Sequence, residues 1–148
     1  MKRLRRKTRK QRGRGGLSVN VQVSPISMNL YSKTDFQKSG TPIVKWAAPP
    51  SGTYYSFVCA DPDSSEPSWL HWLSINCTGS DPSTGTVLTP WEPPTPPTGV
   101  HRYYFTVYSH TSPIKMEAPA SRSSFSTDEF VKENSLKPVG QKMIRVRA

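Results

Sequence analysis

The sequence predicts a mainly β protein with a single folded domain, and three observations support this. The 148 residues include fifteen prolines and nine glycines, which favour many turns and few long helices. Aromatic residues make up 10% of the chain, which argues against a wholly disordered protein. Runs of β-branched and aromatic residues recur along the sequence, and turn-forming residues separate them, as is typical of a β-rich domain.

Six strands are predicted. LSVNVQVS, at residues 17–24, alternates apolar and polar positions with the period of a half-buried strand. A short strand is predicted from Ile43 to Trp46, and Pro49, Pro50 and Gly52 form the turn that ends it. The remaining predicted strands are TYYSFVCA at 53–60, WLHWLSIN at 69–76, HRYYFTVYSH at 101–110 and the tail KMIRVRA at 142–148.

One helix is predicted with its boundaries, near the end of the chain. FSTDEFVKENSL begins with two hydroxyl residues that can cap a helix and two acids that favour the positive end of its dipole. Pro138 and Gly140 are expected to close it. The proline-rich segment at 89–99 is expected to be an ordered extended loop. The candidate caps are Ser126 and Thr127, and the acids are Asp128 and Glu129.

The formal net charge of +10 is concentrated at the start of the chain. Residues 1–16 hold nine of the twenty basic residues and no acid, which leaves 11 basic and 10 acidic residues in the remainder. We therefore predict a disordered basic arm at 1–16 and a single domain at 17–148. The arm is a candidate for contacts with nucleic acid or an anionic membrane, and the alternatives are a nuclear-import signal or a solubilising tail. Its basic residues are Lys2, Arg3, Arg5, Arg6, Lys7, Arg9, Lys10, Arg12 and Arg14.

The sequence also bears on cellular location and redox state. It contains no run of about twenty apolar residues, and its basic start is not followed by the apolar core of a secretory signal. We therefore expect a soluble protein of the cytoplasm or nucleus. Cys59 and Cys77 lie in separate apolar runs and are expected to be reduced core residues.

Four ionisable residues lie at the ends of predicted strands. Asp61 and Asp63 follow one strand, and His71 and His101 begin two others. If these strands are neighbours in one sheet, the four side chains converge at its edge, where ligand sites are common. The structural alternative is that an aspartate caps a turn, that Asp63 pairs with Arg102, and that the histidines are satisfied in the core.

Three stretches follow one another along the chain: DPDSSEPSWLHWLSIN, PPTPPTGVHRYYF and APASRSSFSTDEFVKENSLKPVG. In this order they resemble the motifs of the phosphatidylethanolamine-binding protein family, which includes Raf kinase inhibitor proteins and plant flowering-time regulators, and the resemblance covers roughly residues 17 to 140. It implies a large antiparallel sheet packed on a smaller sheet, with one or two short C-terminal helices. A small anion-binding pocket is expected at one end.

The resemblance also assigns site residues. It matches Asp61 to the first aspartate of the family's Asp-Pro-Asp motif, and His71 and His101 to the two pocket histidines. Ser65 departs from the family's usual proline, and the loop from Asp63 to His71 is short. The full set of expected ligand-binding residues is Asp61, Asp63, Trp69, His71, Pro97, Gly99, His101 and Tyr103.

The resemblance implies a non-enzymatic module that takes a phosphate-type anion or phospholipid head group. Such a module modulates a protein partner, for example a kinase, a protease or a transcription complex, and we expect a monomer without cofactor or metal. The enzyme alternative uses Asp61 with His71 or His101 as an acid-base pair, or these residues with Asp63 as metal ligands. Against it, the sequence has no nucleophile-elbow motif and no HExxH.

Overall fold

The computed structural model describes residues 19–24, 30–64 and 67–148. The predicted arm at residues 1–16 lies outside this part, so the division into arm and domain stays a prediction. The described residues form eight strands, two α-helices and one short 3-10 helix. In chain order they are β1 Gln22–Ser24, β2 Leu30–Ser32, α1 Lys33–Ser39, β3 Ile43–Lys45, β4 Tyr54–Asp61, β5 Trp69–Cys77, the 3-10 helix Pro82–Thr84, β6 Thr86–Thr89, β7 Val100–His110, α2 Thr127–Glu133 and β8 Lys137–Arg147.

The strands form one large and one small sheet. The large sheet has six strands in the order β2-β8-β7-β4-β5-β6, and the small sheet pairs β1 with β3. Neighbours in the large sheet are antiparallel, except that β2 runs parallel to β8 at the edge. The predicted mainly β fold, with a large sheet packed on a smaller one, is confirmed.

Both faces of the large sheet bury apolar side chains. On one face, Phe57 and Phe105 are fully buried in a cluster with Val23 and Val44 of the small sheet. On the other face, Val58 and Tyr108 share a second cluster with side chains of α2 and the segment before it. Because β4 and β5 are covered on both faces, nearly all their residues are buried, and each large apolar side chain contributes roughly 1.5–3 kcal/mol.

The C-terminal helix begins where the sequence predicts, but its end differs. Ser126 is the N-cap, and its hydroxyl oxygen accepts a hydrogen bond from the Glu129 amide at 3.1 Å. The helix ends at the cap residue Asn134, and Ser135 then takes a left-handed φ of 52° that turns the chain. The prediction that Pro138 and Gly140 close the helix is wrong, because both lie in β8.

Gly140 has a different role, which is to admit another part of the backbone. The Val19 amide donates to the Val139 carbonyl at 2.7 Å, and a Cβ at position 140 would lie 2.2 Å from the Val19 oxygen. Only glycine allows this approach without a shift of the neighbouring chain. Val21 then enters the cluster between the sheets, and the small sheet begins one residue later.

Four elements were not predicted: β2, β6, α1 and the short 3-10 helix. The strands have three and four residues, too few to show a period. Helix α1 buries Phe36, which packs on Tyr31 with ring centroids 5.3 Å apart, and a single buried apolar residue gives no helical pattern. Of the expected C-terminal helices, only α2 is present in the described chain, and no described helix has the length and apolar character to cross a membrane.

Candidate ligand-binding site

The order of strands brings the predicted residues to one edge of the large sheet. Strand β4 is antiparallel to both neighbours, β5 and β7, so its last residue meets the first residues of both. Asp61 lies opposite Trp69, and Ala60 lies opposite Tyr104. The strand ends therefore converge here, and they surround a cavity of about 190 Å³. The cavity is lined by Asp61, Ser64, Trp69, His71, Glu92, Thr95, Pro96, His101 and Tyr103.

Asp61 is the buried acceptor around which this edge is organised. The residue is only 1% exposed, and its carboxylate accepts from His101 Nδ1 at 2.7 Å and from the Asp63 amide at 2.8 Å. A buried carboxylate needs such donors, because burying it unpaired would be costly. The contact fixes the proton of His101 on Nδ1 and leaves Nε2 as the ring nitrogen without a partner in the described residues.

Tyr103 lies beside this pair and stays neutral. Burial raises the pKa of its hydroxyl far above the ordinary value, and the charge of Asp61 and a hydrogen bond to it add to the effect. The ring also packs edge-on against His71, with centroids 5.0 Å apart. The side chain is therefore a neutral hydroxyl beside Asp61.

His71 is held by the proline-rich loop. Its Nδ1 lies 2.7 Å from the Glu92 carbonyl oxygen, and the Glu92 amide donates back to the His71 carbonyl at 3.0 Å. Since a carbonyl can only accept, the proton lies on Nδ1. Burial lowers the pKa of His71 below its ordinary 6.5, so the ring is mainly neutral at pH 7 and its Nε2 has a free lone pair.

Sequence reasoning missed four lining residues, Ser64, Glu92, Thr95 and Pro96, and of these Glu92 makes the most contacts. Trp69 Nε1 donates to its Oε1 at 2.8 Å, and Arg122 Nε lies 3.6 Å from its Oε2. Arg122 also donates to the carbonyl oxygens of Leu70 and His71, and so ties the loop to β5. The sequence did show Glu92 as the acid of the proline-rich segment at 89–99, but no sequence pattern indicated which residues it would contact.

Three expected residues do not line the cavity. Asp63 instead pairs with Arg102, with Oδ1 at 2.7 Å from Nη2 and Oδ2 at 2.9 Å from Nε, and this hydrogen bonding lowers the pKa of Asp63 to about 2. Pro97 and Gly99 are exposed, and the neighbouring Pro96 contacts the cavity in their place. Ser65, where the family pattern departs, lies outside the described residues.

The remaining aromatic residues form the wall between cavity and core. Trp72 is buried and meets Phe57 edge-on at 5.2 Å, so it belongs to the core. Trp91, between His71 and Phe105, has ring contacts of 6.2 Å to each. This stack separates the imidazoles from the sheet interior.

The cavity offers few groups that could hold a metal. Across residues 19–24, 30–64 and 67–148, no three His, Cys, Asp or Glu side chains are arranged to bind an ion. Cys59 and Cys77 are free and buried, which agrees with the prediction of reduced core residues. Burial raises the pKa of both thiols, so neither is a ready nucleophile.

Comparison with known proteins identifies the fold family. The sequence profile described as phosphatidylethanolamine-binding protein matches residues 24–143. The chain belongs to this family. The match spans most of the chain and overlaps the region in which the motifs were recognised.

Several solved structures share the fold. A carboxypeptidase Y inhibitor, solved with its cognate proteinase, is 17% identical with a TM-score of 0.70, covering 88% of this chain and 84% of that one. The phosphatidylethanolamine-binding protein from Plasmodium vivax is 21% identical with a TM-score of 0.68, covering 87% and 85%. A homologue from Chlamydia trachomatis is 15% identical with a TM-score of 0.61, covering 90% and 98%. These similarities concern the fold.

Proposed function

We propose that the domain is a non-enzymatic binding module whose cavity takes a phosphate-type anion or phospholipid head group, and that it modulates a protein partner. One observation carries the ligand part of this proposal. His71 and His101 both line one small cavity, and each has its Nδ1 engaged by a protein acceptor. Both Nε2 atoms are therefore left for a single ligand.

A phosphate ester suits two such imidazoles. A protonated ring donates from Nε2 to a phosphate oxygen, and a singly protonated phosphate donates its hydroxyl to a neutral Nε2. Ser64 and Thr95 at the rim add hydroxyl donors. Asp61 and Glu92 repel an anion, but Asp61 already accepts from His101, and the partly exposed Glu92 carboxylate can face the ammonium of a zwitterionic head group.

The same groups give a poor catalytic arrangement. The Asp61 carboxylate already accepts hydrogen bonds from His101 and from the Asp63 amide. The pKa values of the Tyr103 hydroxyl and of both cysteine thiols are raised, so the hydroxyl and the thiols keep their protons. No activated nucleophile stands beside a free base in the cavity. We therefore place the function in binding, and the fold-related inhibitor solved with its proteinase supports a protein as the regulated partner.

An NMR titration of the full chain tests the cavity. Phosphate, O-phosphoethanolamine and acetate are added while the ring signals of the three histidines are followed. His110, whose ring nitrogens lie 2.7 Å from Ser56 Oγ and 2.8 Å from the Ser112 oxygen, serves as the internal control. We expect saturable shifts of His71 and His101 with one dissociation constant, and no shift of His110.

A matched variant completes this test. In His71→Ala, the remaining His101 response should lose saturation, because one ligand needs both rings. Flat signals at millimolar ligand, or identical shifts at His110, would contradict the proposed cavity function. A response to phosphate alone would indicate a free anion, and a stronger response to phosphoethanolamine a head group.

The second candidate function rests on the charge distribution. Nine basic residues within residues 1–16 favour a sequence-independent contact with nucleic acid or anionic lipid. Deleting residues 1–16 should abolish binding to an oligonucleotide or to phosphatidylserine vesicles and leave the histidine titration unchanged. Loss of the histidine response on deletion would contradict the two-part interpretation.

A further inference from the structure

A second surface lies on the opposite face of the large sheet, where α2 covers only one end. Strands β7 and β8 pair there in a ladder of side chains that share this face, and at its covered end Tyr108 is buried in the α2 cluster. The end of the ladder near Val100 and Arg147 is not covered by α2. The successive pairs are Thr106 with Gln141, Tyr104 with Met143, Arg102 with Arg145 and Val100 with Arg147.

Exposed apolar side chains are concentrated on this ladder and on its neighbour β2. Leu30, opposite Arg145 on β2, is 41% exposed, and Val100 and Met143 are 49% and 38% exposed. They are three of the five exposed large apolar residues of the described chain. Single exposed apolar residues are ordinary, but a cluster on one face is typical of an interaction site.

Two arginines on the same surface have no ion pair in the described residues, and Asp128 lies at the α2 end of the surface, where it lines a cavity. Arg145 and Arg147 are exposed, and neither has an ion pair among residues 19–24, 30–64 and 67–148. Arg102 differs, because Asp63 neutralises it. Two unpaired arginines favour an acidic occupant, and they disfavour a second copy of the chain, which would bring like charges together.

A cavity opens at the covered end of the ladder. It has a volume of about 310 Å³, with Val58, Ala60 and Thr106 on its floor and Tyr104 and Tyr108 beside them. This volume and its partly apolar lining suit a single large side chain. A flat lipid surface would not enter a recess between a sheet and a helix, whereas a protruding aromatic side chain would.

We propose that this face is a docking surface for an acidic, extended segment of a partner protein, with an aromatic side chain in the cavity and carboxylates at Arg145 and Arg147. With a rise of roughly 3.4 Å per strand residue, these arginines lie about 14 and 20 Å along the ladder from the Thr106 level. In a segment that runs in the same direction as β8, the acids should therefore follow the aromatic residue by about four and six positions. The surface is separate from the histidine cavity and does not depend on anion binding there.

The probe is the fluorescein-labelled peptide GFSGSESEG, with GASGSESEG and GFSGSKSKG as controls. Binding to the full chain is followed by anisotropy and by the methyl signal of Met143, with Met116, which lines a different cavity, as reference. The double charge reversal Arg145→Glu with Arg147→Glu should weaken binding at least about tenfold. The matched reversal Lys45→Glu with Lys115→Glu, at exposed sites elsewhere, should change it less than about twofold.

A third variant separates the cavity from the charges. Gln141→Trp adds bulk at the cavity mouth and should remove the preference for the phenylalanine peptide over the alanine peptide. The proposal is overturned if Met143 does not shift, if both charge reversals act alike, or if Gln141→Trp leaves the preference intact. It is also overturned if the arginine reversal abolishes binding to phosphatidylserine vesicles or an oligonucleotide but not to the peptide, or if it abolishes self-association.

Discussion

Strand β7 places neighbouring residues in two very different settings. His101 and Tyr103 face the cavity side of the sheet, where every contact with Asp61 is buried. Arg102 and Tyr104 face the other side, where the Arg102 guanidinium pairs with Asp63 at the surface and lies 5.8 Å from the Tyr104 ring centroid. The same chemistry, a carboxylate with a cationic or ionisable partner, therefore occurs in a buried and a solvated form a few residues apart.

The carboxylates of Asp61 and Asp63 have different roles on the two faces. A buried carboxylate must be fully hydrogen-bonded, and the donors that satisfy Asp61 also fix the orientation of a cavity histidine. A surface pair costs little to form and contributes little, so Asp63 and Arg102 mainly hold the end of β4 beside the start of β7. In our two proposals, the first face binds a small ligand and the second face binds a segment of a partner protein.

The largest expected effect is the loss of the buried acceptor. Asp61→Asn presents an amide with one acceptor oxygen to several donors, and we expect the free energy of unfolding to fall by roughly 2–3 kcal/mol. Urea denaturation followed by tryptophan fluorescence measures this. Asp63→Asn is the control on the other face, and equal losses in the two variants would break the distinction between the faces.

Acidification should remove the stability contributed by the two faces in different pH ranges. The pKa of His71 is lowered in the fold chiefly by burial, so the unfolded chain binds the proton more readily. Stability from this group is complete above about pH 6.5 and falls as the pH drops below that value. His110 acts in the same direction for the same reason, so wild type and His71→Gln should be compared by denaturation between pH 7 and pH 5. An unchanged slope in the variant would contradict burial of His71.

The smallest effect belongs to the surface pair. Its linkage has the same sign as that of His71 but acts at lower pH, because the folded pKa of Asp63 is about 2 against an ordinary 3.8. The stability it provides is present above about pH 4 and is lost as the pH falls towards 2. A double-mutant cycle of Asp63→Asn and Arg102→Gln at pH 7 should give a small coupling that added salt reduces further. A large coupling that salt leaves unchanged would mean that the pair behaves as a buried one.

The sequence predicted what depends on local periodicity and on motif order. The strong strands, the reduced cysteines and the Ser126 cap follow from patterns of a few adjacent residues. Helix α1 was not predicted, because its one buried phenylalanine gives no helical period. Pro138 and Gly140 were wrongly assigned to a helix end, because both residues also suit a bulged strand such as β8. The partners of Glu92 depend on contacts between distant segments, which adjacent residues do not specify. The Asp63–Arg102 pair had been named from the sequence as the structural alternative, and the structure shows it.

The central claim is that both cavity imidazoles keep their protons on Nδ1 and reserve Nε2 for one anion. The direct measurement is the ¹⁵N shifts of the ring nitrogens of His71 and His101 in the full chain, before and after saturation with phosphate. We predict protonated Nδ1 in both rings throughout, with Nε2 of both changing on addition. A protonated Nε2 and free Nδ1 in the ligand-free rings, or a change confined to one ring, would contradict the account.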